Sequence, residues 1–129
     1  MAQRSPPGRQ RVLLVDDDAT LRRAIGRLIA TRYEVVEAAD GDEALELLAK
    51  GPAPSAILCD LAMPRVSGAD VYRALQLRHP ELAQRFVLFT GGGLSDEQCA
   101  FVDGGEVPVL HKPCARDELL GILATVTLR

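Results

Sequence analysis

The chain has 129 residues and a formal net charge of −3, with 47% hydrophobic and 26% charged residues. This length and composition predict one globular domain, and the acidic balance disfavours a general nucleic-acid binder, which usually carries a basic face. No apolar stretch approaches the roughly 18 residues of a membrane helix, and three widely spaced cysteines without a Cys-x-x-Cys pair disfavour a disulfide scaffold or zinc site and fit a reducing cytoplasm.

The order of apolar and polar segments predicts five strands that alternate with five helices. Residues 1–10 contain Ser5-Pro6-Pro7-Gly8 and no apolar segment, so we expect a disordered lead-in there and one domain over 11–129. In chain order the predicted elements are a strand over 11–15, a helix over about 19–30, a strand over 34–38, a helix over about 41–50, a strand over 56–59, a helix over about 67–79, a strand over 86–89, a helix over about 95–101, a strand over 107–110 and a helix over about 115–128. In the third helix Val71 and Leu75 are expected to face the core, with Leu77 as a further candidate.

Residues that can cap a helix stand before four of the predicted helices: Asp18, Asp40, Ser67 and Ser95. At that position a side-chain oxygen accepts a backbone N–H of the first turn. The strict alternation of strands and helices predicts a parallel sheet with helices on both faces and right-handed crossovers.

Polar residues follow four of the predicted strands. They are Asp16-Asp17-Asp18, Asp60, Thr90 and His111-Lys112. In a parallel sheet these side chains meet at the carboxyl edge, where the ligands of open α/β sheets bind. Carboxylates, a hydroxyl and a lone ammonium at one edge are suited to a divalent metal and a phosphoryl group.

The three adjacent carboxylates predict a cation site, because they repel one another unless a cation is present. Mg²⁺ takes oxygen ligands, typically one or two carboxylates with waters and phosphate oxygens. One of the three is explained by helix capping, and Asp18 is favoured for that role. Asp16 and Asp17 therefore remain as candidate metal ligands.

Each of the other candidates has a role in phosphoryl chemistry and an ordinary structural alternative. Asp60 can attack phosphorus and form an acyl phosphate, but alone it fits a strand-end turn residue equally well. The Thr90 hydroxyl can donate to a phosphoryl oxygen, although β-branched residues are common in strands. Lys112 can neutralise a phosphoryl oxygen, and a solvated surface lysine is its usual alternative.

Four sequence segments carry a family resemblance. They are residues 12–18, 57–68, 89–91 and 112–113, which read VLLVDDD, ILCDLAMPRVSG, FTG and KP. Together and in this order they resemble the receiver domain of two-component response regulators, and the resemblance extends over roughly residues 11–128.

The resemblance implies a doubly wound (βα)5, flavodoxin-like fold. This is a three-layer sandwich around a five-stranded parallel sheet with strand order 2-1-3-4-5. It also implies that Asp60 is the phosphoacceptor, that Thr90 supplies the switch hydroxyl, and that Lys112 is the family's lysine, joined to Pro113 by a cis peptide bond.

The cofactor that the resemblance implies is Mg²⁺. Its ligands would be Asp16, Asp17, Asp60 and the backbone carbonyl of Ala62, with Asp17 as the direct ligand of the acidic pair. The phosphoryl donor would be a phosphohistidine on a histidine kinase or histidine phosphotransfer protein of a phosphorelay. The domain would catalyse its own phosphorylation and dephosphorylation and would not turn over an external substrate.

The resemblance further implies a cytoplasmic signalling domain without nucleic-acid or membrane partners. A homodimer through the fourth helix, the fifth strand and the last helix is allowed by analogy. The Thr90-Gly91-Gly92 run and the missing aromatic at Val109 look similar to the receivers of hybrid histidine kinases.

The sequence departs from the family pattern in four places. Val109 stands three residues before the lysine, where the family usually has Tyr or Phe, so the usual aromatic switch is missing. Gly91-Gly92 follow Thr90 where Ala is commoner, and Ala62 replaces a commonly polar side chain. Ala115 stands where a capping residue is frequent, which costs about 1 kcal/mol at the last helix.

Two other functions remain open at this stage. A pseudo-receiver would have the same fold and act only as an interaction module, but such a protein would be expected to lose Asp60 or Lys112 first. A haloacid-dehalogenase-type phosphatase would use Asp16 as the nucleophile of an Asp-x-Asp-x-Thr motif. That family needs an acidic pair at a later strand end, whereas Asp117-Glu118 fall inside a predicted helix, and Asp60 would have no role.

Overall fold

The computed structural model describes residues 9–128, which form one parallel sheet between two layers of helices. The strands are β1 (Arg11–Val15), β2 (Glu34–Ala38), β3 (Ala56–Asp60), β4 (Phe86–Thr90) and β5 (Val109–His111). The helices are α1 (Ala19–Ile29), α2 (Gly41–Lys50), α3 (Gly68–Arg78), α4 (Pro80–Ala83), α5 (Asp96–Asp103) and α6 (Arg116–Val126). The strand order β2-β1-β3-β4-β5 confirms the predicted doubly wound architecture.

The sheet divides the core into two halves because alternate side chains of a strand point to opposite faces. In β1, Leu13 and Val15 pack on the side of α2 and α3, whereas Val12 and Leu14 pack on the side of α1 and α6. The central strand β3 is buried along its whole length, as expected for a strand covered on both faces. The site at its end is therefore carried by a strand whose five residues are all buried.

Parallel register brings the strand ends together at one edge. Val15 pairs with Cys59, Asp60 with Phe89, and Thr90 with His111. The residues of the predicted site therefore lie at the ends of strands that are neighbours in the sheet.

The predicted helix caps are confirmed. Asp18, Asp40, Ser67 and Ser95 each accept a backbone N–H of the helix that follows, and the two serines form reciprocal capping boxes. Ala115 precedes α6 without a side-chain cap bond. These bonds satisfy backbone donors that a helix start otherwise leaves unpaired.

Three local expectations are wrong. The last strand begins at Val109 instead of residue 107 and includes His111, because Pro108 has no N–H for the ladder. Leu77 is 86% exposed, since it lies two residues, about 200° of helical rotation, beyond the buried Leu75. The short helix α4 was not expected; it starts at Pro80, a residue suited to a first helical turn.

The lead-in expected over residues 1–10 lies, for residues 1–8, outside the described residues. Arg9 Nη1 donates to the carbonyls of Ala30 and Tyr33 at 3.0 and 3.4 Å, and the Gln10 carbonyl accepts from Glu34 N at 2.8 Å. None of the helices within residues 9–128 has the length and apolarity needed to cross a membrane.

Candidate functional site

Three carboxylates meet at the carboxyl edge of β1 and β3. Asp16 and Asp17 follow β1, Asp60 is the last residue of β3, and one oxygen from each lies within 4.8 Å of the others. Asp16 and Asp60 are buried, whereas Asp17 is exposed. The structure thus brings together the acidic side chains that the sequence singled out.

A lysine from the far side of the sheet reaches into this cluster. Lys112 follows β5, and its Nζ lies 3.1 Å from Asp16 Oδ2 and 3.3 Å from Asp60 Oδ1. Its side chain is only 16% exposed. One ammonium therefore joins the ends of β1 and β3 from a position beyond β5.

The electrostatics of the cluster are set by burial and by the excess of negative charge. Burial raises the pKa of Asp60 to about 6; Lys112 opposes this rise, and Asp16 and Asp17 add to it. Burial lowers the pKa of Lys112, but the ion pairs with Asp60 and Asp16 outweigh it and leave that pKa above its ordinary value. The site holds a protonated lysine beside a carboxylate that gives up its proton reluctantly.

The Asp16 carboxylate is held in place by two donors. The backbone N–H of Asp18 donates to Oδ1 at 2.9 Å, and Lys112 donates to Oδ2. Arg22 on α1 donates to the Asp16 carbonyl at 2.7 Å and pairs with Glu37 of β2. Asp16 is fixed by its surroundings, whereas Asp17 faces solvent.

Thr90 ends β4 beside this cluster and is 1% exposed. Its Oγ1 accepts from Gly92 N at 3.4 Å, and its carbonyl accepts from Lys112 N at 2.7 Å. Gly92 and Gly93 both have positive φ, a conformation that suits glycine. The hydroxyl is therefore connected to the glycine loop on one side and to the Lys112 backbone on the other.

The loop after β3 approaches the site closely. A Cβ at Gly68 would lie 2.6 Å from the Asp60 carbonyl, so only glycine fits there. Ala62 lies two residues beyond Asp60 and is exposed. Arg65 has φ of 65°, and its guanidinium lies 3.6 Å from both Asp40 and Asp42 at the start of α2. The loop therefore lies against the end of β3 at Gly68 and near the start of α2 at Arg65.

The peptide bond between Lys112 and Pro113 is cis, as the resemblance implied. His111 lies at the end of β5 and is exposed.

Sequence reasoning missed three contributors. Arg22 supports Asp16, Arg65 has a left-handed backbone, and the Phe89 ring lies under Lys112 with Nζ 5.0 Å from its centroid. Arg22 stands one turn after the helix cap, a spacing that gave a weak signal for contact with the strand end. For Phe89 and Arg65 no sequence pattern points to the contact, because it depends on how separate segments pack.

The donor set fits a hard divalent cation. Every candidate ligand is an oxygen, one oxygen from each of the three carboxylates lies within 4.8 Å of the others, and Asp17 is exposed to solvent. Oxygen ligands of this kind are those that Mg²⁺ takes in proteins.

Comparison with known proteins gives a consistent result. The family model described as response regulator receiver domain matches residues 12–124. A response regulator named MprA from Mycobacterium sp. (strain KMS) is 35% identical over 120 residues, which is 92% of this chain and 51% of that protein. This chain therefore spans about half the length of the curated relatives it matches.

Two solved structures extend the comparison. The response regulator receiver domain protein from Clostridium thermocellum superposes with a TM-score of 0.80 and 25% identity, covering 93% of this chain and 95% of that one. A structure described as adenylate cyclase from Rhodopirellula baltica gives 0.79 and 29%, covering 93% and 88%.

Proposed function

The chain belongs to the response regulator receiver domain family, and from that premise we propose that it accepts a phosphoryl group on Asp60 in a two-component phosphorelay. The observation that carries the proposal is the Lys112 ammonium, 3.3 Å from Asp60 and 3.1 Å from Asp16. A pure interaction module has no need for a largely buried lysine shared by two carboxylates, since removing charges from water is costly.

The proposed reaction is an in-line transfer. An Asp60 oxygen forms a bond to phosphorus while the P–N bond of the phosphohistidine breaks, and the electron pair leaves with the imidazole nitrogen, which takes a proton from solvent. Such a transfer needs positioning and charge neutralisation more than covalent help. Lys112 supplies one positive charge to the phosphoryl oxygens, and burial in the β3 end fixes Asp60.

The acidic cluster is proposed to hold Mg²⁺ through Asp16, Asp17, Asp60 and the Ala62 carbonyl. When bound, the ion would neutralise charge on the phosphoryl oxygens and orient them. Asp17 is the carboxylate best placed as a direct ligand, because Asp16 already accepts bonds from Asp18 N and Lys112.

Thr90 is proposed to report the modified state. Its hydroxyl sits at the β4 end, where its oxygen accepts a long 3.4 Å contact from Gly92 N. A phosphoryl oxygen on Asp60 would be a charged hydrogen-bond acceptor, and the Thr90 hydroxyl would turn to donate to it. The glycine loop would then shift, which is a local electrostatic event read out by a two-state element.

The partner is proposed to be a histidine kinase or histidine phosphotransfer protein, in the cytoplasm. The curated relatives are about twice as long as the matched region. The domain is proposed to act as one member of a phosphorelay. Two features favour a receiver of the hybrid-kinase type: the glycine run that follows Thr90, and the presence of Val109 where an aromatic residue is usual. A homodimer is compatible with this role, and self-catalysed phosphorylation, without turnover of an external substrate, is its proposed activity.

The deciding experiment is intact mass after incubation with acetyl phosphate and Mg²⁺, on the wild type and Asp60→Asn. The proposal is supported if the wild type alone gains one phosphoryl group and gains none when a chelator is present during the incubation. An adduct that persists in Asp60→Asn contradicts it, and an adduct on Asp16 would favour the phosphatase alternative.

The absence of any adduct would call for a phosphohistidine donor and for beryllofluoride titration by NMR. If neither changes the protein, the pseudo-receiver alternative is correct.

A further inference from the structure

Lys112 has a third neighbour besides the two carboxylates. Its Nζ lies over the face of the Phe89 ring, 5.0 Å from the centroid. That distance is within the range in which an ammonium is attracted by the negative face of an aromatic ring. Phe89 is 1% exposed and belongs to the core on the α1 and α6 side, so the ring cannot move away from the lysine without repacking.

An ammonium has three N–H donors and no acceptor. Two of the Lys112 donors are directed at Asp16 and Asp60. The Phe89 ring face stabilises the charge of the ammonium without adding a lone-pair acceptor that would compete with an incoming phosphoryl oxygen.

The aliphatic stem of Lys112 has a further neighbour. The Lys112 stem passes beside Gly91, where an added Cβ would lie 3.6 Å from Lys112 Cδ. The neighbour at position 91 therefore presents no side chain to direct the ammonium. The buried Phe89 ring therefore lies directly beneath the ammonium.

From these contacts we propose that Phe89 is a positioning residue for phosphoryl transfer: its ring face holds the Lys112 ammonium between Asp16 and Asp60, where the ammonium can neutralise the incoming phosphoryl group. The inference rests on the proposed function and deepens it, because it assigns the orientation of Lys112 to a core aromatic residue whose side chain has no hydrogen-bonding group.

The chain provides a matched control. Phe86 lies on the same strand, is 0% exposed, and faces the opposite half of the core, where its ring packs 5.5 Å from that of Tyr72. Phe86→Leu therefore costs the same kind of core volume as Phe89→Leu without touching Lys112. Stepwise ring fluorination at either position weakens the negative face while nearly preserving shape.

The experiment measures the initial rate of Asp60 labelling by acetyl phosphate for both leucine variants and both fluorinated series, with melting temperature as the folding check. We expect Phe89→Leu and the fully fluorinated Phe89 to react about fivefold more slowly, equivalent to about 1 kcal/mol, and the Phe86 variants to stay within about twofold of wild type. Equal losses at both positions, or no loss at Phe89, would overturn the inference.

A second measurement does not depend on phosphorylation. The chain has two lysines, Lys50 and Lys112, and Lys50 is 75% exposed, so lysine-selective labelling gives two signals with a built-in reference. Protons over a ring face are shielded, so the Lys112 ε-methylene should resonate upfield of Lys50 and move toward it in Phe89→Leu. An unmoved Lys112 signal would refute the contact even if the wild type accepted no phosphoryl group, which separates this failure from failure of the proposed function.

Discussion

The Asp60 carboxylate and the Lys112 ammonium lie 3.3 Å apart although 52 residues separate them in the chain. The sheet order explains the encounter: β3 and β5 flank β4, and Lys112 follows β5 with a stem long enough to cross the end of β4. The pair shares the ammonium with Asp16. The cluster is therefore one electrostatic unit, and changes to its members are expected to be coupled.

Asp60→Asn is expected to stabilise the metal-free protein at neutral pH. The folded-state pKa of Asp60 is raised from 3.8 to about 6, so the folded state binds this proton more tightly than the unfolded state. Ionisation of Asp60 therefore costs stability as pH rises from about 4 through about 6, and Asn avoids that cost, with a gain of about 1–3 kcal/mol.

Urea unfolding across this pH range, in the presence of a chelator, measures the gain. The difference between variant and wild type should vanish below about pH 4 and reach its plateau above about pH 7. Asp103→Asn, which removes an exposed carboxylate outside the cluster, serves as the control. A difference that grows toward low pH would contradict the raised pKa.

Lys112→Ala is expected to retain Mg²⁺ binding and to lose phosphorylation. The carboxylates supply the proposed metal ligands, and removal of the nearby positive charge of Lys112 favours the binding of a cation to them. The transferred phosphoryl group, however, loses its neutralising partner, so labelling by acetyl phosphate should fall at least about tenfold. The matched control is Lys50→Ala, which removes an exposed lysine that pairs with Glu46 on α2.

Asp17→Ala is expected to weaken Mg²⁺ binding more than Asp16→Ala. Asp17 is exposed, whereas the Asp16 oxygens are already bonded to Asp18 N and Lys112. Calorimetric titration with Mg²⁺ compares the two variants directly. The reverse order of affinities would mean that Asp16 is the principal ligand and that Lys112 releases it when metal binds.

Arg65→Gly is expected to raise stability by about 0.5–1 kcal/mol, because a non-glycine residue at positive φ is strained. The two ion pairs of Arg65 are long, at 3.6 Å, and its side chain is 65% exposed, so their loss costs little. Arg65→Ala, which keeps the strain and loses the pairs, is the comparison and should be slightly destabilised. Thermal unfolding of both variants tests this, and a less stable glycine variant would show that the pairs outweigh the strain.

Much of the fold follows from local pattern. The apolar runs of β1, β3 and β4 and the caps at Asp18 and Ser67 are readable in the sequence, because strand burial and capping depend on neighbouring residues. The start of β5 and the short helix α4 were not readable to the residue. Pro108 lies inside the apolar run 107–110, and because it lacks an N–H the strand begins only at Val109. Pro80 suits the first turn of α4, but no pattern in the sequence predicted that helix.

The sequence by itself determined which residues could take part in the site, since Asp16, Asp17, Asp60, Thr90 and Lys112 all stand at the ends of apolar runs. Only the tertiary structure decided how they share charge: that Lys112 lies between two carboxylates, that burial raises the pKa of Asp60, and that the Phe89 ring lies beneath the ammonium. The physical reason is that strand ends are set by local hydrophobic pattern, whereas distances, desolvation and ring contacts arise between segments that the chain brings together only on folding.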